Sequence, residues 1–536
     1  MPRTTLSHPV AVVVLALLLL AAPAGGAEPR WQAADHVPHA LPAPGAHAAA
    51  AGPARWIVGA RPGAAADRIA GAHGARPLRL AGAYSVPAAR ARALAAALRA
   101  RGLLRYSQAD TAVARSSAYE GNGLETGWAR GPVVAPDLVP PATPGTIGIV
   151  DDVVDASLPD VSQARLLKGS ATTQVLDGHG TEVASAAAAQ LNGTGVVGIM
   201  PGAPLLSFGL KDLSCAEAVN GILAAAEGGA RVLNLSFGAT EDCFALQLAV
   251  ADAFATNTLV VAAAGNEFGA GNPIVYPAAY PHVLSVAALD MTLAAASFST
   301  ANAAVDLAAP GESVPVAVPL AFDLDGTADG ITRADGTSFA APIVSGVASW
   351  LIGARPGLEP GQYSDMLRRS ARDLGAPGWD KDTGFGLVNL AAALQAPTPP
   401  VDPLEPNDGI SFVDGAVFSK PDKHLWDGGA AKTVTAAVDP VEDPVDVYRV
   451  RIKAHRQAKF TLTPSAGNAD LRVYPGKAKS LAATPLAKSQ RGTGHADVVR
   501  VGNHAGRAAT YYVAIVAPSL AARSFDAPYT LKLARG

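Results

Sequence analysis

Hydrophobic and polar positions change their spacing several times along the chain, and each change marks a boundary. An unbroken apolar run, Val10 to Ala22, follows Arg3 and ends at Pro23 and the small residues Ala24 to Ala27. At about 13 residues it is too short to cross a hydrocarbon core of roughly 30 Å as a helix, so residues 1–27 read as a secretion signal, not a membrane anchor. Residues 28–54, rich in Ala, Pro and His, carry no apolar period and read as a flexible spacer. Residues 55–113 then show a strand at Trp56-Ile57-Val58, helical spacing from Pro87 to Leu103 and a second strand at Leu103–Tyr106. This predicts a small α+β unit near the lower size limit for folding alone. Residues 114–144 return to Gly, Pro and Ser and read as a linker.

From residue 145 to 396 the pattern alternates. Apolar strands are predicted at Thr146–Val150, Leu205–Leu210, Val232–Leu235, Leu259–Ala264 and Val283–Ala287. Helical spacing separates several of them, at Ala216–Glu227 and Phe244–Thr256, and a last helical stretch covers Gly386–Gln395. Near-continuous apolar strands with helices between them predict an α/β fold, a doubly wound and mostly parallel sheet covered on both faces. Residues 397–408, rich in Pro and Asp, read as a stiff linker. Beyond it, Thr433–Ala437, Val445–Ile452, Phe460–Thr463, Leu471–Tyr474, Val498–Val501, Tyr511–Ile515 and Tyr529–Leu533 are short apolar runs between turn residues. Such runs without helices predict a C-terminal β-sandwich over 409–536.

Composition narrows the function classes. The chain has 536 residues, half of them hydrophobic, and a net charge of −3. That balance gives no general pull toward nucleic acid or anionic membrane, and no basic run suggests either partner. The two cysteines, Cys215 and Cys243, lie downstream of the signal. An oxidising compartment favours their pairing over two buried thiols.

Three segments carry candidate chemistry. In TIGIVDDVVD, Thr146–Asp155, a buried strand ends in carboxylates, and open parallel sheets bind ligands beyond the carboxyl ends of their strands. Asp151 stands where the apolar run stops, so it can be partly buried and hold a neighbouring imidazole; alone, an Asp at a strand end is more often a turn or helix cap. In DGHGTEVA, Asp177–Ala184, a His between glycines opens a helix running through Ala189. His282 is the other histidine between residues 146 and 396; it follows Pro281 at a strand start, a bland setting, so His179 is the better candidate base. In DGTSFAAP, Asp335–Pro342, Ser338 opens an apolar helix, Ile343–Ile352. A Ser there reads either as an N-cap or as a hydroxyl beside unpaired N–H groups that stabilise negative charge. Pro342 is expected within the first turn, where no intrahelical donor is missed.

In that order on an α/β pattern, these segments resemble the subtilisin-like serine protease family across about residues 144 to 396. The resemblance implies a secreted endopeptidase with Ser338 as nucleophile, His179 as base and Asp151 as its orienting carboxylate. LVVAAAGNE, Leu259–Glu267, resembles the segment carrying the oxyanion-hole asparagine, which implies that role for Asn266. LNLSFG, Leu233–Gly238, resembles the strand that pairs with an extended peptide. Ser236, Phe237 and Gly238, with Ala263, Ala264 and Gly265, are thereby implied as substrate-binding residues. Where the family has Ser or Thr and then Gly after the catalytic Asp, this chain has Asp152 and Val153, so Asp152 stays a rival to Asp151. Glu182 replaces a frequent His. Val275 replaces a frequent Gly before Tyr276-Pro277 and implies a shallow pocket for small apolar side chains.

The flanks add expectations. Residues 55–113 resemble the family's inhibitory propeptide, cut off between about 114 and 130. DPLEPND, Asp402–Asp408, with DPVDVYRV and ADLRVY downstream, resembles the bacterial prepeptidase C-terminal domain. Asp402, Glu405, Asn407 and Asp408 are candidate ligands for structural Ca²⁺, against the plainer reading of a turn-rich linker. The chemistry itself requires no cofactor. Protein or peptide substrates and the chain's own propeptide are the expected partners of an extracellular bacterial monomer. The competing reading is an inactive relative serving as a binding protein. An esterase is disfavoured because Ser338 lacks a G-x-S-x-G setting, and a metalloprotease because H-E-x-x-H is missing.

Overall fold

The structure is a computed structural model describing residues 55–110, 128–418, 420–492, 494–517 and 527–536, together with the backbone of 114–115. The expected signal and spacer, residues 1–54, lie outside the described residues.

Seven parallel strands form the central sheet. In spatial order they are Leu307–Pro310, Val283–Leu289, Leu259–Ala263, Val232–Leu235, Ile147–Asp151, Leu205–Gly209 and Ala164–Leu166. The first three strands in the chain wind one way and the last four the other. The winding therefore reverses between Ile147–Asp151 and Val232–Leu235, where a crevice opens beyond the carboxyl ends. Alternate residues of each strand feed opposite faces. Ile147, Ile149, Val232 and Val261 join the core beneath helices His179–Ala188 and Thr337–Ala354. Val150, Leu233, Val260 and Ala262 join the core beneath helices Cys215–Glu227 and Phe244–Ala255. Thr337–Ala354 is long and apolar enough to span a membrane, but 89% of it is buried, as a core helix requires.

The N-terminal unit is α+β as expected: an antiparallel four-stranded sheet with two helices, Ala64–Ala72 and Ala88–Arg99. It sits on the outer surface of the helices Cys215–Glu227 and Phe244–Ala255. The ring of Tyr106 meets Phe244 edge-on at 5.1 Å, and Asp110 Oδ1 accepts from Ala216 N at 3.0 Å. Arg79 pairs with Glu227 and donates its backbone N–H to Asn220 Oδ1.

The C-terminal region is a sandwich of two four-stranded antiparallel sheets. The expected linker 397–408 is instead fastened on both sides. Gln362 Nε2 donates to Pro399 O, Ala437 N donates to Asp402 Oδ2, and Val447 N donates to Asn407 O. Proline-rich chain lacks donors of its own, but its free carbonyls and Asx side chains accept from both neighbours. Helix Ile410–Val413 then buries Phe412 in the same core as Phe244 and Tyr106, so the sandwich is joined to the sheet domain by apolar packing.

Candidate active site

Asp151 is the last residue of its strand and is 1% exposed. Its two carboxylate oxygens lie 2.9 and 3.0 Å from His179 Nδ1. Asp152, the rival, serves the loop: its carboxylate accepts from the N–H groups of Val153, Leu176, Asp177 and Gly178, which bring the chain round to His179. Gly180 is needed for that approach, because a Cβ there would collide with the carbonyl oxygen of Asp152. Among the described residues His179 Nε2 has no hydrogen-bond partner. The imidazole lies against Phe339, ring centres 5.7 Å apart, which sets it at the amino end of the helix bearing Ser338.

Ser338 is the second residue of that helix and fully buried. Its Oγ donates to Ser236 O at 3.1 Å, and Ser236 Oγ donates to Ser338 O at 2.7 Å. The second bond corrects the expectation about Pro342. The helix begins at Thr337, so Pro342 is its sixth residue and not part of the first turn. It withholds the N–H that would have bonded Ser338 O four residues back. The hydroxyl of Ser236 supplies the missing donor, while Asn234 Nδ2 donates to Ser236 Oγ. Sequence reasoning picked Ser236 only as a wall of the cleft; proline four residues after a buried serine was the available signal for this second task.

Asn266 follows the strand Leu259–Ala263 and faces the same crevice. Its Oδ1 accepts from Thr337 N at 3.0 Å and Thr337 Oγ1 at 2.9 Å. Both donors grip the oxygen, which leaves the amide NH₂ as the end available to a ligand. Thr337, unremarked in the sequence, thus orients Asn266 from the residue next to Ser338.

Phe237 and Gly238 pair antiparallel with Arg115 and Ala114 of the chain's own amino-terminal arm. Ala263, Ala264 and Gly265 continue the neighbouring strand, and Thr337 Oγ1 accepts from Gly265 N. Val275 fills the space between these two walls. A Cβ on Gly238 would strike Val275 Cγ1, and one on Gly265 would come within 2.9 Å of Val275 Cγ2. Cys215 and Cys243 form a disulfide between the amino ends of the two helices under the N-terminal unit.

A second cluster lies where the sheet domain meets the sandwich. Asp402, Asp443 and Asp446 bring carboxylate oxygens within 4.8 Å of one another, and His282, Glu405 and Asp408 form a neighbouring group. His282 stacks on Phe254 and lies 3.1 Å from Asp408 Oδ2, so the residue with the bland setting is a tie between domains. Burial first, then the charges of Asp443, Asp446 and Asp408, holds the Glu405 carboxyl well above its ordinary range. Burial likewise pushes Asp446 up to about 6.

The family model described as "Subtilase family" matches residues 145–386. Subtilisin DY of Bacillus licheniformis is 36% identical over 258 residues, covering 46% of this chain and 90% of its own. Fervidolysin of Fervidobacterium pennivorans is 33% identical over 287 residues, of which this chain covers 41% of the relative's length. The crystal structure of fervidolysin, described as a keratinolytic enzyme related to subtilisin, superposes with a TM-score of 0.56 at 20% identity over 83% of this chain and 85% of that one, a likeness of fold. With nine-tenths of a subtilisin matched at more than a third identity, this chain belongs to the subtilase family of serine endopeptidases.

Proposed function

We propose that this subtilase hydrolyses peptide bonds with Ser338, His179 and Asp151 as its triad, and that it is secreted as a self-processing precursor. The observation that carries the reading is the buried Asp151–His179 pair, with the free Nε2 of His179 beside the helix that begins at Ser338. Attack requires the Ser338 hydroxyl to leave Ser236 O and turn toward that nitrogen, a change of χ1 between staggered wells. His179 then takes the proton as Oγ attacks the carbonyl carbon and returns it to the leaving amine. Asp151 holds the tautomer that keeps Nε2 free and balances the imidazolium that forms. The NH₂ of Asn266, oriented through Thr337, and the N–H of Ser338 donate to the tetrahedral oxyanion. Extended substrates pair with Phe237 and Gly238, as the backbone of Ala114 and Arg115 does, and backbone pairing tolerates many sequences. Val275 between Gly238 and Gly265 supports a shallow pocket for small side chains. Residues 55–113 act as the propeptide.

The same reading includes a structural Ca²⁺ at the domain junction. Among the described residues, Asp408 Oδ1 and Asp446 Oδ1 are buried oxygens without a donor, among carboxylates that repel one another. An oxygen-rich, multiply charged set of this kind fits a hard divalent cation. Asp402, Asp443 and Asp446 would hold it, with Glu405, Asn407 and Asp408 beside them.

A fluorophosphonate probe tests the chemistry. Mature protein should take up one label, and Ser338→Ala none. Labelling that survives the substitution would assign another nucleophile; unlabelled mature wild type would mean an inactive relative.

A further inference from the structure

We propose that Asn234 is a positioning residue for the reaction, acting through Ser236 on the peptide unit that carries Ser338; the inference deepens the proposed function and rests on it. Asn234 is an unexpected side chain for its place. It lies in the strand Val232–Leu235, paired with Ile149 on one side and Val261 on the other, in the middle of the sheet. It is fully buried. A covered parallel strand is otherwise apolar, and an amide taken out of water costs stability unless its polar atoms are bonded. Leu233 and Leu235 join the core beneath helices Cys215–Glu227 and Phe244–Ala255. Asn234 therefore faces the other way, toward helix Thr337–Ala354.

Both ends of the amide are engaged there. Ser345 Oγ donates to Asn234 Oδ1 at 3.0 Å, and Asn234 Nδ2 donates to Ser236 Oγ at 2.8 Å. Ser236 Oγ then donates to Ser338 O at 2.7 Å. All four residues are fully buried, which keeps water from competing. Ser345 stands about two helical turns beyond Ser338, on the same face of the helix. A serine within a helix commonly bonds back to its own backbone, but this one reaches the strand. The chain of bonds has one sense. A serine hydroxyl carries one hydrogen, and Asn234 Nδ2 already donates to Ser236 Oγ, so that hydrogen is directed to Ser338 O. Ser345 holds the amide with its oxygen toward the helix and its NH₂ toward Ser236. An amide turned end for end would accept from Ser236. The Ser338 carbonyl, already deprived of a helical donor by Pro342, would then have none.

The held carbonyl belongs to the planar peptide joining Ser338 to Phe339, and the Phe339 ring lies against His179. Fixing that plane sets the Ser338 side chain and the support of the imidazole together. Asn234 reaches the reacting atoms only through Ser236. Its loss should therefore slow the chemical step and leave peptide binding, which in the proposed mode uses the backbone of Phe237 and Gly238, nearly intact.

Steady-state kinetics of mature enzyme test this, with sites counted by fluorophosphonate titration so that unfolded protein is excluded. Asn234→Ala should lower kcat roughly ten-fold or more and leave KM within about two-fold. Asn234→Ala/Ser236→Ala should be no slower than Ser236→Ala alone, because the amide acts through that hydroxyl. Ser345→Ala, a smaller change that frees the amide to turn, should lower kcat by about two- to five-fold and have no effect in the Ser236→Ala background. A wild-type kcat in Asn234→Ala, or in Ser345→Ala should the first not fold, overturns the inference. So does a loss confined to KM, or losses that multiply with that of Ser236→Ala. Wild type that takes no label and cuts no peptide removes the proposed nucleophile and this inference with it. Labelled, active wild type beside variants of equal kcat removes the inference alone.

Discussion

Pro342 removes one donor from the helix that carries Ser338, and a hydroxyl on another strand replaces it. The Ser338 carbonyl is held by Ser236 Oγ where a regular helix would have used its own backbone. Ser236→Ala should therefore strand a buried carbonyl and lower stability by about 1–3 kcal/mol in chemical denaturation. It should also lower kcat more than it raises KM, because the start of the helix positions Ser338. Unchanged stability would show that water or a shift of the chain satisfies the carbonyl. Asn266→Ala should spare folding and reduce kcat by on the order of 10²–10³-fold, a magnitude borrowed from the oxyanion-hole asparagine of subtilisin. A loss confined to KM would remove the oxyanion role. At this scale the sequence was readable where neighbours form a long motif, as around His179, Asn266 and Ser338. It was ambiguous at Asp151 and Asp152, since adjacent carboxylates at a strand end differ only in direction. The geometry separates them: one faces His179 and the other gathers four backbone N–H groups.

Elements with long apolar runs were legible from spacing alone, because a buried parallel strand must be apolar on both faces. The five strands anticipated in the central sheet occur within one or two residues of their expected ends. The two edge strands were not anticipated. Ala164–Leu166 is three residues long and largely exposed, and Leu307–Pro310, though buried, is four residues long and ends in a proline, so neither presents a long apolar run. The disulfide acts at this same scale. It ties helix Cys215–Glu227 to helix Phe244–Ala255 across a separation of 28 residues, and the N-terminal unit rests on both. Removing both sulfurs, as Cys215→Ala/Cys243→Ala, should lower stability by about 3 kcal/mol on a chain-entropy view. It should also weaken binding of separately added residues 55–113, measured as inhibition of the mature enzyme, because the platform they occupy loosens. Equal inhibition of the two forms would limit the disulfide to stability.

At the scale of the whole molecule the sequence showed the acidic motif but not its setting, since His282 and Asp408 are 126 positions apart and meet only in the folded chain. The junction holds several buried carboxylates with few cations among the described residues. Arg368 reaches Asp439, while the imidazole of His282 lies beside Glu405 and Asp408. Without a bound cation these groups repel, which is why burial and neighbouring charge raise Glu405 and bring Asp446 to about 6 from its ordinary 3.8. The sign follows from linkage. A carboxyl with a raised folded-state pKa costs the folded protein nothing below the ordinary value. The cost grows as pH climbs through the interval to about 6 and is complete above it. A chelator should therefore lower the Tm of Ser338→Ala protein, which avoids self-digestion, by more at about pH 8 than at about pH 5, and added Ca²⁺ should restore it. Asp446→Asn should blunt the response to Ca²⁺ and raise the Tm of the chelated protein at the higher pH, because one repelling charge is gone. Equal Tm with and without Ca²⁺ at the higher pH would mean that the junction tolerates its carboxylates unaided, and the proposed cation would have to be abandoned.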